Sequence, residues 1–144
     1  MSSAKKQVDE IKFTQAFEAI YPAHEPSLND NDSKFLKRVF GEGLDKYTRR
    51  LSKLGLNGKE HVLDAGCGFG QWSLAMAQNE NQHITSCDLS AERISFLQDM
   101  TSHLNIENVD TRVCKLEELP FEPGKFSFIF SYSVLYMTDI DLSL

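Results

Sequence analysis

The spacing of apolar residues is helical in the first third of the chain and changes to short apolar runs in the remainder. Over residues 9–21 the apolar positions recur mostly at intervals of three and four, which predicts an amphipathic helix. Pro22 and Pro26 are expected to end that helix, and residues 1–8 are polar enough to fray. The same spacing returns over residues 34–54, where Gly41 and Gly43 predict a break into two helices.

Four short apolar runs follow, each bounded by turn residues, and each is typical of a buried strand. Helical patterns separate the first three runs. The resulting order of strand, helix, strand, helix, strand predicts parallel pairing with right-handed crossovers, and therefore an α/β fold. The predicted strands are 61–65, 83–87, 109–113 and 126–131, and the helices between them are 71–78 and 90–103, the second with Ser90 as its N-cap.

The last residues, Thr138–Leu144, have the pattern of a helix that begins and then stops. This pattern suggests that the chain is truncated shortly after the fourth predicted strand. The apolar fourth strand would then be an exposed edge, and such an edge favours self-association.

Composition narrows the class of protein. The 144 residues correspond to one domain. A net charge of −6 makes nucleic acid an unlikely partner, and no apolar run approaches the ~20 residues of a membrane helix. The chain shows no secretory signal, so a cytoplasmic location is expected. We interpret the three cysteines, Cys67, Cys87 and Cys114, as small buried apolar residues. We expect no metal site, because neither the cysteines nor the four histidines have the spacing of metal ligands. The histidines are His24, His61, His83 and His103.

The strongest chemical signal is the loop of residues 66–70, which follows the first predicted strand and precedes a helix. Gly66, Gly68 and Gly70 permit a tight turn and a close approach of the backbone to a ligand. The N-terminus of the next helix suits an anion, either a phosphate or a carboxylate. A flexible surface loop is the alternative, although it would need no flanking strand and no distant acid.

Asp88 ends the second predicted strand, 22 residues after Gly66. Because neighbouring parallel strands end at the same edge of a sheet, we expect this acid and the loop to converge on one ligand. An acid at this place in nucleotide-binding α/β folds accepts hydrogen bonds from ribose hydroxyls. The alternative is an acid that stabilises the N-terminus of the helix beginning near Ser90, and both roles are compatible.

Several segments in order resemble the class I, Rossmann-like family of S-adenosylmethionine-dependent methyltransferases. Asp64 and the run GCGFG resemble the first motif of that family, D-x-G-x-G, whereas dinucleotide-binding enzymes favour G-x-G-x-x-G. Residues 87–89, 114–121 and 126–137 resemble the later motifs, so the similarity covers about residues 57–139. The resemblance implies a three-layer sandwich with strands ordered 3-2-1-4, lacking the family's strands 5, 7 and 6. It also implies a lid formed by the helices of residues 1–56, in front of a cofactor domain over 57–144.

The resemblance also implies S-adenosylmethionine as cofactor, S-adenosylhomocysteine as product and a small-molecule methyl acceptor. By position in the motifs, Asp64 would lie near the amino group of the cofactor, Asp88 would hold the ribose, and the apolar side chains after strands two and three would flank the adenine. Ser131 would offer its carbonyl group to the cofactor's amino group. The implied cofactor-binding residues are Asp64, Gly66, Cys67, Gly68, Asp88, Leu89, Leu116, Glu117 and Ser131.

Two positions depart from the family pattern. Lys115 stands where the family often has an acid that accepts from the adenine amine, so Glu117 or backbone groups would take that role. Ser127 stands where the family commonly has Asp, at a mostly structural position. For Leu89 and Leu116 the alternative is plain core packing.

Aromatic side chains near the loop permit two interpretations. Trp72, Phe69 and Tyr132 could form a cage for a cation, but helix packing is the favoured interpretation of Trp72. Tyr21 and Tyr47 are candidates to contact ligand.

Methyl transfer from a sulfonium needs alignment more than acid–base help, so no catalytic residue is predicted. Two other classes stay open. One is a non-catalytic cofactor-binding or protein-interaction module derived from the same fold. The other, disfavoured by the glycine spacing, is an enzyme that binds a nicotinamide or another nucleotide.

Overall fold

A computed structural model describes residues 3–56 and 58–132, with side chains described from residue 10 onward. Three helices precede the sheet: α1 (Ser3–His24), α2 (Asp30–Gly41) and α3 (Asp45–Leu51). The rest alternates strands and helices: β1 (His61–Ala65), α4 (Gln71–Met76), β2 (His83–Asp88), α5 (Ala91–His103), β3 (Val109–Val113) and β4 (Phe128–Phe130). Short 3-10 turns lie at Glu25–Ser27 and Leu116–Glu118.

The four strands form one parallel sheet in the order β3-β2-β1-β4, which confirms the predicted α/β class and strand order. In the register of the central strand, Leu63 pairs with Thr85 of β2 and with Ile129 of β4. Four of the five β1 residues and five of the six β2 residues are buried, as expected for central strands covered on both faces. The carboxyl ends of β1 and β2 therefore lie side by side.

Side-chain caps fix where two helices begin. Asn29 Oδ1 accepts from Asp32 N at 2.8 Å and starts α2. Ser90 Oγ accepts from Arg93 N at 3.3 Å and starts α5, as predicted. Each cap satisfies a backbone N–H that has no partner within its helix.

Pro22 does not end the first helix, because α1 continues through it and ends at His24, just before Pro26; it also begins earlier than predicted, at Ser3. Proline removes one hydrogen bond to the preceding turn, and here that loss falls in the last turn of the helix. Phe13, Phe17 and Tyr21 bury the face of α1 that reaches this turn, and packing of an apolar face outweighs local propensity. Strand β4 is shorter than predicted, and the helix predicted from Thr138 lies outside the described residues.

An aromatic cluster joins the N-terminal helices to the sheet. The rings of Phe13 and Phe17 on α1, Phe40 on α2 and Phe96 on α5 pack together, with 5.2 Å between the centroids of Phe40 and Phe96. These side chains belong to one apolar core that also contains Val62 and Ile84 of the sheet. The core thereby holds α2 close to the carboxyl ends of the strands, where the predicted site lies.

Within the described part of the chain, no helix combines the length and apolarity needed to span a bilayer.

Candidate functional site

The glycine-rich loop is tied to the neighbouring strand. Gly66 N and Cys67 N both donate to the carbonyl oxygen of Cys87, at 2.9 and 2.8 Å, and Gly70 N donates to Cys67 O at 3.0 Å. These bonds hold the turn at the end of β2, so the loop is an ordered part of the sheet edge rather than a flexible surface loop.

Glycine is required at two positions of this turn for different physical reasons. Gly68 has φ +60°, and a Cβ placed there would meet no described atom within 4 Å, so its open face borders the cavity described below. Gly70 has φ +92°, and a Cβ there would lie 2.4 Å from Leu97 Cδ1. Gly68 thus leaves space for a ligand, whereas Gly70 permits the close packing of the loop on α5.

Asp88 connects the loop to the next helix. Its Oδ2 accepts from Gly68 N and its Oδ1 accepts from Ser90 N, both at 2.9 Å. The side chain is 8% exposed and borders the cavity. The acid therefore orders the loop and the N-terminus of α5, and its oxygens keep lone pairs for a ligand.

A cavity with two adjoining lobes lies at this edge of the sheet. The first lobe, about 600 Å³, lies between Leu89 and the segment 114–118, and most of its accessible wall is apolar. The second lobe, about 460 Å³, lies between the loop and the first turns of α2. Gly66, Asp88 and Arg93 border both lobes. A larger, polar cleft of about 740 Å³ along α5 and β3 includes none of the predicted site residues in its wall.

The structure brings nearly all of the predicted cofactor-binding residues together around this cavity. The residues that border one lobe or both are Asp64, Gly66, Cys67, Gly68, Asp88, Leu89, Leu116 and Glu117. Ser131 is not part of either wall, and its Oγ donates to Ala65 O at 3.1 Å. The ligand-binding roles of all these residues stay predictions.

The two leucines of the first lobe differ in burial. Leu89 is 67% exposed, so the core-packing alternative is wrong for this residue. Leu116 is 8% exposed and packs with Leu63 and Cys87, which confirms core packing for this residue. It also borders the lobe, and its contact with adenine stays a prediction.

Asp64 lies beneath the second lobe in a network of hydroxyl groups. Ser73 Oγ donates to Asp64 Oδ2 at 2.6 Å and lies 2.6 Å from Ser86 Oγ. Burial raises the pKa of Asp64 to about 7, the hydrogen bond from Ser73 opposes this shift, and the nearby charge of Asp88 adds to it. The carboxyl of Asp64 therefore titrates near neutral pH, well above the range of an exposed aspartate.

Cys67 and Cys87 are buried thiols, as predicted, whereas Cys114 borders the first lobe and is only partly buried. Burial raises the pKa of Cys87 to about 12 and moves that of Cys67 upward as well. Both thiols stay protonated near neutral pH, which fits their interpretation as small apolar residues. Within the described residues, no group of three or more His, Cys, Asp or Glu side chains could hold a metal ion.

Trp72 packs against other aromatic rings, as the favoured interpretation expects, and the cation cage stays an open alternative. Its ring packs against Tyr47, Phe130 and Tyr132, with centroids 4.7 to 5.2 Å apart, and it also borders the second lobe. The other two candidates for ligand contact lie in the core: Tyr47 packs edge-on against Trp72, and Tyr21 hydrogen-bonds Ser33.

Sequence reasoning missed several residues that border the cavity. Arg93 lies in the first turn of α5, and the first turns of α2 contribute Asn31, Asp32 and Phe35. In the sequence, Asn31 and Asp32 lie in a run of Ser, Asn and Asp that is typical of a turn and a helix cap. No sequence signal linked α2 to the loop, because their contact depends on the aromatic core.

A sequence model of the family described as "Methyltransferase domain" matches residues 62–143, more than half of the chain. The chain belongs to the methyltransferase domain family. The family predicted from the motifs is thereby confirmed.

Relatives with curated names give the same assignment. This methyltransferase domain is 29% identical over 110 residues to phosphoethanolamine N-methyltransferase 1 of Arabidopsis thaliana, covering 72% of the chain. It is 32% identical over 101 residues to the ubiquinone/menaquinone biosynthesis C-methyltransferase of Citrifermentans bemidjiense, covering 63% of the chain. The chain spans only 22% and 41% of the lengths of these two relatives.

Solved structures share the fold. The geranyl diphosphate C-methyltransferase of Streptomyces coelicolor A3(2), solved with S-adenosylhomocysteine, aligns with a TM-score of 0.63 at 22% identity. The alignment covers 80% of this methyltransferase domain and 44% of that chain. A SAM-dependent methyltransferase from Aquifex aeolicus aligns with a TM-score of 0.54 at 24% identity, covering 59% and 46% of the two chains. At these identities the likeness establishes the Rossmann-like methyltransferase fold.

Proposed function

We propose that the chain binds S-adenosylmethionine in the two-lobed cavity and takes part in transferring its methyl group to a small-molecule acceptor. The observation that carries the proposal is the position of Asp88. This acid lies where the two lobes meet and is hydrogen-bonded to the glycine-rich loop, so one ligand can contact both.

The residues present fit the parts of this cofactor. The adenine would lie in the apolar lobe between Leu89 and Leu116, and the ribose hydroxyls would donate to Asp88. The methionine part would follow the open face of Gly68 into the second lobe, where its ammonium group would lie near Asp64. Lys115 borders the adenine lobe and cannot accept from the adenine amine, so Glu117 or backbone groups would have to do so.

The chemistry needs little from the protein beyond positioning. Bound S-adenosylmethionine supplies an activated methyl group whose leaving group is a neutral thioether. The chain's own side chains would hold the cofactor in one orientation, and Phe35 and Trp72, which border the second lobe, would shield the reacting groups from water. A general base is required only for an acceptor that must lose a proton early, so no catalytic residue is assigned.

A small-molecule acceptor is supported by the relatives. Their names specify phosphoethanolamine, ubiquinone or menaquinone biosynthesis, and geranyl diphosphate. These acceptors differ widely in chemistry, so the names support the class of acceptor and no particular compound.

We propose the division into a lid over residues 1–56 and a cofactor domain over 57–144. Its support is that Asn31, Asp32 and Phe35 of the N-terminal segment border the second lobe. Self-association through β4 is proposed as well, because β4 is an outer strand of the described sheet and Ile129 on it is 63% exposed. Sedimentation of the chain beside an Ile129→Lys variant tests this contact. A cytoplasmic location and the absence of a nucleic-acid partner stay predictions.

The test of cofactor binding is a titration that uses the fluorescence of Trp72, the single tryptophan of the chain and part of the second lobe. We expect saturable binding of S-adenosylhomocysteine, none of NAD, and a loss of binding in Asp88→Ala. Asp110→Ala is the matched control, because Asp110 is an acid on β3 whose side chain is 70% exposed and lies outside the two lobes.

The non-catalytic module is the second candidate function. Binding of S-adenosylhomocysteine without transfer to any acceptor tested would favour it. Failure of the folded chain to bind S-adenosylhomocysteine would refute the cofactor assignment itself.

A further inference from the structure

The wall of the second lobe contains more acidic than basic side chains. It contains three carboxyl groups, Asp32, Asp64 and Asp88, and among the described residues Arg93 is the single cationic side chain there. The methionine part of S-adenosylmethionine carries an ammonium group and a carboxylate. The acids can serve the ammonium group, whereas the carboxylate needs a donor or a cation.

The backbone of the loop offers few donors for that carboxylate. Most of its N–H groups already have partners within the protein. Gly66 and Cys67 donate to Cys87 O, Gly68 donates to Asp88 Oδ2, and Gly70 donates to Cys67 O. These four N–H groups are therefore not available to a carboxylate, and a cationic side chain beside the loop would strengthen its binding.

Arg93 is placed to do so. Its guanidinium carbon lies 5.2 Å from the centroid of the Phe69 ring, beside the loop, and its Nη2 lies 3.4 Å from Asp32 Oδ1. The side chain is 39% exposed and borders both lobes. The contact with Asp32 is long and uses one nitrogen of a group that has five N–H donors.

We propose that Arg93 binds the carboxylate of the cofactor's methionine part. Asp32 and Phe69 hold the guanidinium at the mouth of the second lobe, with donors left over for a second carboxylate. This inference rests on the proposed cofactor, and it identifies a cofactor-binding residue outside the glycine-rich loop. Because Asp32 belongs to α2, it also connects the N-terminal segment to cofactor binding.

The test compares two ligands that differ only in the carboxylate: S-adenosylhomocysteine and its decarboxylated analogue, 5′-deoxy-5′-(3-aminopropylthio)adenosine. Affinities are measured by calorimetry for the 144-residue chain and for Arg93→Gln and Arg93→Lys. Arg49→Gln is the matched control, because Arg49 on α3 is 72% exposed and is not part of the wall of either lobe. Circular dichroism establishes that each variant is folded.

We expect Arg93→Gln to weaken binding of S-adenosylhomocysteine by roughly 10- to 100-fold, the usual range for losing a charge-assisted hydrogen bond. Binding of the decarboxylated analogue should change by less than about twofold, because it lacks the group that Arg93 holds. Arg93→Lys should give an intermediate loss, since it keeps the charge but not the bidentate geometry. Arg49→Gln should bind both ligands as the wild type does.

Equal weakening of both ligands by Arg93→Gln would overturn the assignment, because Arg93 would then act on the nucleoside or on the fold. An unchanged affinity for S-adenosylhomocysteine would overturn it as well. If the wild-type chain binds neither ligand, the proposed cofactor fails together with this inference, and that outcome is distinct from the other two.

Discussion

Replacement of Asp64 by Asn tests the electrostatics of the site in the empty protein. The carboxyl is 1% exposed, and burial raises its pKa from 3.8 to about 7. Asparagine has nearly the same shape, stays neutral at every pH, and its amide oxygen can still accept from Ser73 Oγ. The variant therefore removes the ionisation and leaves the packing in place.

The sign of the effect follows from the two pKa values. Below about pH 4 the carboxyl is protonated in the folded and the unfolded chain, so it carries no penalty. As the pH rises from there to about 7, the unfolded chain loses this proton first, and the folded state becomes less stable. Above about pH 7 the carboxyl is ionised in both the folded and the unfolded chain, and the folded state loses no further stability through this group. Three pKa units correspond to about 4 kcal/mol, an upper limit, of which about 2 kcal/mol falls between about pH 5.5 and 8.

The assay is urea unfolding followed through the fluorescence of Trp72, which is 5% exposed in the folded chain. The free energy of unfolding is measured for the wild type and for Asp64→Asn at several values of pH across this window. The difference between the two proteins isolates Asp64, because all other titrating groups are common to both. We expect the variant to gain about 2 kcal/mol relative to the wild type as the pH rises.

Parallel pH profiles for the two proteins would refute this reasoning. They would mean that Asp64 is ionised throughout the window in the folded state, and that water or another group stabilises its charge.

Four further substitutions test the glycine-rich loop, the cap of α5 and the aromatic core. Gly70→Ala should destabilise the fold by about 2 to 4 kcal/mol, because its Cβ would collide with Leu97 at a positive φ, and thermal unfolding measures this. Gly68→Ala shares the positive φ but meets open space, so it should cost only about 1 kcal/mol in the same assay while weakening binding of S-adenosylhomocysteine. Ser90→Ala should lower the free energy of unfolding in urea by about 1 kcal/mol through loss of the α5 cap, and no change would contradict the capping role. Phe40→Ala should cost about 3 to 5 kcal/mol in chemical denaturation, because this ring is completely buried between α1 and α5, and a loss below about 1 kcal/mol would contradict the joint core.

The sheet and the position of the acid could be predicted because their signals are local. Short apolar runs bounded by turn residues identified the strands, and the rule for right-handed crossovers set the parallel pairing. Asp88 follows from the same reasoning, since an acid at the end of β2 must lie beside the loop at the end of β1. Ser90 was recognisable as a cap from its residue type and its place before a helical pattern.

Other features depend on packing between distant segments, which the local pattern does not contain. The continuation of α1 past Pro22 reflects an aromatic face buried against α2 and α5. Nothing in the sequence distinguishes Arg93 from the other polar residues of its helix, and only the packing of α2 places Asp32 beside it. The burial of Asp64 and its contact with Ser73 likewise require the sheet and α4 to be assembled.

The most direct test of the account is a crystal structure of the chain with S-adenosylhomocysteine bound at saturating concentration. The account predicts one ligand molecule in the two-lobed cavity, with the ribose hydroxyls hydrogen-bonded to Asp88 and the adenine between Leu89 and Leu116. A ligand bound elsewhere, or a cavity without ligand under those conditions, would contradict it.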